Sequence, residues 1–222
     1  MLDNQEKERN KGQKLCTGRI VIIAILAAML LPALKEVRDR GAATKCLSNT
    51  KQIGFDLRIY TEMYNDYLPS TYDTTLQPRT WYRQLQIHGV VDKTSYESKT
   101  GKVKKSSCYV CPSTDYEKGV NNGYVGYGMN THSFSGTPRK ITTVKNPSKR
   151  CLIADGTYER GDGYQITSMT SKYYHIQRRH AGKTYNTLYV DGHSDNRKYV
   201  YTATDRSVTG SEGYWFWGGG TY

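Results

Sequence analysis

Three kinds of catalytic apparatus are missing from this 222-residue chain. No serine or cysteine sits in an elbow-like sequence, which removes the usual sequence mark of a hydrolase nucleophile. The one Cys-x-x-Cys, Cys108 to Cys111, has no second pair, so a four-cysteine zinc site is excluded. Gly126-Tyr-Gly128 is neither preceded by a parallel-sheet strand nor followed by a helix, so it does not read as a phosphate loop. Acid is also in short supply: 20 Asp and Glu stand against 32 Lys and Arg, for a net charge of +12 and a pI near 9.4. Apart from Lys7, Arg9, Lys11, Lys14 and Arg19 near the start, the positive charges are scattered. Such a surface attracts anionic polysaccharide, lipid head groups or a nucleic-acid backbone at long range, and equally serves solubility. Solubility is the reading adopted, and no specific nucleic-acid partner is expected. At 36% hydrophobic, with mean hydropathy −0.73, the chain is large enough to bury one core.

Against that polar background stands an uncharged apolar run, Ile20 to Leu34, which contains Ile23, Ala24, Ala27, Leu31 and Pro32. A spanning helix needs about 20 apolar residues, and this run reaches only about 22 Å at helical rise. Leu15, Cys16, Thr17 and Gly18 extend it backward, with Arg19 snorkelling to the head groups. A buried core helix should have one polar face, and this run has none. A cleaved signal peptide needs a small-x-small site, and none follows before Lys35. Membrane insertion is the expectation, with membrane lipid as the first partner and Pro32 accommodated as a kink. Residues 1–19 are polar and charge-mixed and read as a disordered cytoplasmic leader whose Lys and Arg set the orientation.

Past Pro32 no further proline occurs before Asn65, and Cys46, Thr50, Ile53, Leu57, Tyr60 and Tyr64 recur at alternating spacings of four and three. That is one face of an amphipathic helix. The expectation is a single stem helix over residues 20–66, greasy all round over 20–34 and then presenting one stripe to a head domain over 67–222.

Ile22 to Arg38, Cys46-Leu-Ser-Asn-Thr-Lys-Gln-Ile-Gly54 and Tyr60 to Pro69 resemble the stem of type IV pilin-like and type II secretion pseudopilin-like proteins. Further motifs point to the large-headed subfamily: Cys111-Pro-Ser113, Tyr127-Gly-Met-Asn130, Ile153-Ala-Asp-Gly156, and His180 separated by ten residues from Asp191-Gly-His193. The resemblance spans about Ile20 to Tyr199. It does not extend to the peptidase site, where Asn10, Lys11 and Leu15 occupy the glycine, phenylalanine and glutamate positions. The resemblance implies an α+β pilin-like fold, a long helix packed on an antiparallel sheet. It implies a non-enzymatic filament subunit in a bacterial cytoplasmic membrane, single-pass, with the head periplasmic or at the cell surface. Its partners would be copies of itself or sister subunits. One rival is a monomeric anchored module that binds anionic polysaccharide or DNA, and the other is a zinc or hydrolytic enzyme.

Along the head, Leu68 to Pro78 reads as a turn-rich connection, Trp81 to Leu85 as a short helical turn, and residues 96–105 as a surface loop. Five cysteines in a chain with an exported head suit disulfides. Cys46 on the inward stripe can reach Cys108 or Cys111. A Cys46–Cys111 bridge is the favoured pairing and would contribute about 2–4 kcal/mol. Zinc would need two further ligands, which His132, His175 or His180 could supply only if the fold brought them in. Asn121 to Asn130 reads as a strand, Arg150 to Ala154 as another, and Tyr185–Val190 with His193–Thr202 as a hairpin about a type I′ turn at Asp191-Gly192.

The residues able to imitate an active site are Asp155, His175, His180, Asp191, His193 and Asp195. Asp155 and Asp191 each precede glycine, which turn chemistry explains, so no catalytic residue is assigned. No cofactor is expected. For this hairpin the cation that fits is calcium, through the hard ligands Asp191, Asp195 and Asn196, which also serve the turn. The ending, Tyr214-Trp-Phe-Trp217 between glycines, reads either as a last core strand or as an aromatic patch for subunit or sugar contact.

Overall fold

A computed structural model describes residues 2–71, 80–91, 103–104, 106–114, 126–134, 139–156, 165–166, 176–198 and 216. The chain divides into two compact units, Met1–Gly41 and Ala42–Tyr222. The class is α+β: helix α1, Leu2–Met63, precedes a five-stranded sheet.

In the first unit, α1 already begins at Leu2, where the sequence suggested a disordered leader. Residues 2–19 contain no proline and are rich in Gln, Glu, Lys and Arg, so a helix nucleated further on propagates back through them at little cost. Pro32 lies inside α1. From Ile20 to Leu34 every residue is exposed on every face, and mean hydropathy in this part of the helix reaches 2.3. This is one helix long and apolar enough to cross a membrane.

In the second unit, the predicted stripe is the buried face of α1. Cys46, Thr50, Ile53, Leu57 and Tyr60 are buried, Asn49, Asp56 and Thr61 join them, and Tyr64 is half-buried just past the helix end. Asn65 and Asp66 turn the chain at positive φ, 50° and 69°, and Leu68 then hydrogen-bonds the Arg139 carbonyl. Helix α2, Trp81–Ile87, buries Trp81, Tyr82 and Leu85, with Trp81 packed on Tyr109.

The sheet comprises β1 (Tyr127–Asn130), β2 (Cys151–Asp155), β3 (Gln165–Ile166), β4 (Tyr185–Tyr189) and β5 (Ser194–Arg197), in the order β3-β1-β2-β4-β5. Four strands are antiparallel. The edge strand β3 pairs parallel to β1, so the sheet is mixed rather than wholly antiparallel as the sequence suggested. One face carries Tyr127, Met129, Leu152, Ile153 and Leu188 into the core shared with α1. The other carries Cys151, Ala154, Tyr185 and Tyr189 into a second cluster with Ile176 and Phe216. Both faces of β2 are therefore covered, which is why its five residues are all buried. A bulge at Leu152 interrupts the β2–β4 pairing, since Cys151 faces Tyr189 while Ile153 faces Leu188.

The hairpin is present with a different turn. A type I′ turn needs positive φ at both central residues, but only Gly192 has it, at 93°. Gly192 N–H closes on the Tyr189 carbonyl and Tyr189 N–H on the His193 carbonyl, which makes a longer loop with glycine at its end. Of the C-terminal aromatics only Phe216 is described; it is buried edge-on to Tyr189. Most of the 96–105 loop lies outside the described residues, and Val103 within it is buried.

The stripe generates a sharp contrast between near neighbours. Ile53→Ala, at a fully buried site, is expected to cost about 2–5 kcal/mol, whereas Phe55→Ala, 67% exposed, should stay within about 0.5 kcal/mol in urea unfolding of the full chain.

Candidate functional site

Four chemistry-bearing side chains from four separate segments converge beneath α1. Cys46 belongs to the helix stripe. Cys111 closes a run of turns over residues 106–114, hung on α1 by Asn49 Nδ2 donating to the Val110 carbonyl at 3.1 Å and by the Tyr109 hydroxyl donating to Asp56 at 2.5 Å. Asp155 ends β2. His180 precedes β4, held by its own N–H bond to the Thr184 carbonyl. One ligand atom from each of the four lies within 4.8 Å of the others, and all four residues are buried.

The contacts inside the cluster are specific. The Cys46 thiol donates to Asp155 Oδ1 at 3.3 Å and lies 3.1 Å from the Tyr127 hydroxyl. His180 Nε2 is 3.0 Å from Asp155 Oδ2 and 3.8 Å from Cys111 Sγ. On its far side, His180 Nδ1 meets Ser113 Oγ at 3.3 Å. Asp155 Oδ2 also accepts the Asn186 N–H at 2.7 Å. Arg179 stands beside the group, bonded to Thr114 Oγ1 and the Gly156 carbonyl. Gly126 completes the wall at φ +84°, and a Cβ there would lie 3.2 Å from Cys111 Cβ.

Burial shapes the protonation of the group. It pushes the Cys46 thiol well up, helped by the bond to Cys111 and the charge of Asp155. Cys111 moves the opposite way, down to about 5, because the hydrogen bond from Cys46 outweighs burial and both His180 and Arg179 favour a thiolate. For His180 burial opposes the charge, but bonds to Asp155 and Cys111 prevail and lift it to about 9. These shifts favour a thiolate at Cys111 beside a protonated His180, with Cys46 keeping its proton. A thiolate–imidazolium pair can act as a nucleophile, bond to another sulfur or coordinate a metal, and here all four groups are buried.

The remaining candidates disperse. Cys46 and Cys111 meet as expected, but as free thiols rather than as a bridge. Cys108, three residues away, points elsewhere: burial and the charge of Asp56 raise its thiol to about 11. The Cys-x-x-Cys is thus two unrelated cysteines. Cys151 is buried on the far face of the sheet, 3.3 Å from Thr187 Oγ1. The set of Asp and His residues picked out in the sequence splits in two, because Asp191 and His193 pair at 2.6 Å on the surface hairpin, with His193 stacked on Tyr189. His175 and the side chain of His132 lie outside the described residues. The three calcium candidates do not share a cradle. Asp191 is held by His193, and Asp195 and Asn196 are successive residues of β5, whose side chains leave on opposite faces. Asn196 Nδ2 instead binds Asn186 Oδ1 at 2.8 Å.

At Asp155 turn chemistry does not hold, although Gly156 follows it. The aspartate is a wholly buried strand end, not an exposed turn former. The signal available in the sequence was that Cys46, Cys111, Asp155 and His180 each occupy a different motif, with Cys46 on the inward stripe. No family model, curated protein or solved structure matches the chain. Function must be read from its own geometry.

Two measurements probe this region. Gly126→Ala forces a side chain into positive φ against Thr114, Arg179 and Cys111 and should cost about 1–3 kcal/mol in thermal or urea unfolding. Asp56, raised by burial against its bonds to Tyr109 and Gln52, has a folded pKa above its unfolded one, so its charge lowers stability at neutral pH. That cost fades as pH falls through the folded pKa toward the ordinary 3.8. Asp56→Asn should therefore raise Tm at pH 7, with an advantage that shrinks on acidification.

Proposed function

We propose that this protein is a membrane-anchored, pilin-like structural subunit that assembles side by side with copies or relatives through the first part of α1. The observation that carries the reading is the helix surface itself. Residues Ile20 to Leu34 expose Ile, Leu, Val and Met on all sides, so no face is reserved for a soluble core. Burying that surface in water would require a partner all round, and lipid is the simplest one. Ala24, Ala27, Ala28 and Ala33 are small enough to let a second helix approach closely, so the same surface can leave lipid for a neighbouring stem. Lys and Arg before the run support an orientation with residues 1–19 in the cytoplasm and the second unit outside. The sequence resemblance to pilin-like stems supports filament assembly, and the sealed interior of the head supports a structural rather than a catalytic role.

Ile25→Cys and Ala28→Cys, each with Cys16→Ser, test assembly by oxidative crosslinking in native membranes. Dimers that form at these positions in membranes, and that fail to form when the chain is diluted into detergent before oxidation, are expected. Persistent monomers would overturn assembly and favour an anchored module that binds an anionic polymer through its basic surface. Recovery of the full chain in the alkaline-washed soluble fraction would overturn the anchor.

A further inference from the structure

We propose that Cys46, Cys111, Asp155 and His180 form a structural zinc site that ties α1 to the sheet and to the 106–114 turns.

The donor set is one sulfur from each cysteine, one imidazole nitrogen and one carboxylate oxygen, a combination of the ligand types zinc takes in tetrahedral sites. Metal–ligand bonds of about 2.0–2.3 Å meeting at tetrahedral angles put neighbouring ligand atoms about 3.3–3.8 Å apart. In the cluster Cys111 Sγ is 3.8 Å from His180 Nε2, while the two oxygens of Asp155 divide between neighbours, Oδ1 lying 3.3 Å from Cys46 Sγ and Oδ2 3.0 Å from His180 Nε2, so that either oxygen is within reach of a shared ion. Small rotations of the carboxylate and the imidazole would open the shortest of these distances.

The outer contacts orient the donors inward. Ser113 Oγ takes the Nδ1 side of His180, which leaves Nε2 facing the sulfurs, the arrangement that fixes a metal-binding tautomer. The Asn186 N–H steadies the carboxylate, and the Tyr127 hydroxyl is placed to donate to Cys46 Sγ. Two thiolates, one carboxylate and a neutral imidazole about a divalent ion leave one net negative charge, and Arg179 stands next to it. Coordination displaces the protons from sulfur and imidazole into solvent, so the ion replaces protons as the glue of the cluster. All four ligands are buried, leaving no open position for water; this marks a structural site rather than a catalytic one. The alternative is a Cys46–Cys111 disulfide, and it would consume the two sulfurs the ion needs.

The test uses the full-length chain purified without chelator or a histidine tag. About one zinc per chain is expected by elemental analysis, and replacement with cobalt should give the visible absorption of a tetrahedral ion with a sulfur-to-cobalt charge-transfer band. Cys111→Ser and His180→Ala should lose the ion, while His193→Ala on the surface hairpin keeps it. Because a ligand variant could misfold, Ser113→Ala supplies a milder probe: it leaves all four ligands in place and should weaken zinc about 10–100-fold in chelator competition. A Cys46–Cys111 disulfide found by peptide mass mapping, free thiols without bound metal, or a cobalt spectrum lacking the sulfur band would each overturn the site.

Discussion

The stripe of α1 that faces the head is buried, so a polar group on it must find its partner within the protein, and this constraint fixes how the helix lies. A purely apolar stripe would let a helix rotate or slide by a turn at modest cost. Cys46, Asn49 and Asp56 remove that freedom. Each is matched to a group on a different segment: Cys46 to Asp155 and Tyr127, Asn49 to the Val110 carbonyl, Asp56 to the Tyr109 hydroxyl. Shifting the helix would strand all three at once, with a penalty of about 1–3 kcal/mol for each unsatisfied group. The turns of residues 106–114 have little regular structure of their own, and they owe their position to these bonds.

The same helix is written in two codes. From Ile20 to Leu34 its residues are apolar all round, and from Cys46 to Thr61 one side is buried and apolar or hydrogen-bonded while the other is exposed and polar apart from Phe55 and Ile59. The change falls across Lys35 to Lys45, which carries Lys35, Glu36, Arg38, Asp39 and Arg40, with Arg40 bonded to Glu36 one turn back. A single element therefore meets two solvents in the proposed function, and the charged stretch marks the place where one gives way to the other.

Periodicity made the helix and its buried face legible, because a spacing of four and three depends only on helical geometry. The Asp-Gly hairpin and the short apolar strands were legible for the same local reason. The buried cluster was not. Its four members are separated by at least 24 residues each, and sequence spacing is informative about a site only when the ligands lie on one element. Asp155 before Gly156 carries the signature of a turn, and only tertiary burial turns it into a partner for Cys46 and His180. The parallel edge strand β3 was equally invisible, since two residues show no period. The polar composition of residues 2–19 hides their helix, because helix propagation from an adjoining segment needs no apolar face.

The bulge at Leu152 has a consequence of parity. Side chains along a strand alternate, so an inserted residue reverses which side all later ones occupy. Cys151 faces the second cluster, Leu152 and Ile153 both face α1, and Ala154 returns to the second cluster. That odd step is what delivers Asp155 to the helix side. Counted out evenly from Cys151, the carboxylate would emerge on the opposite surface, among Tyr185, Tyr189 and Phe216, and the two cysteines and the histidine would have no oxygen between them.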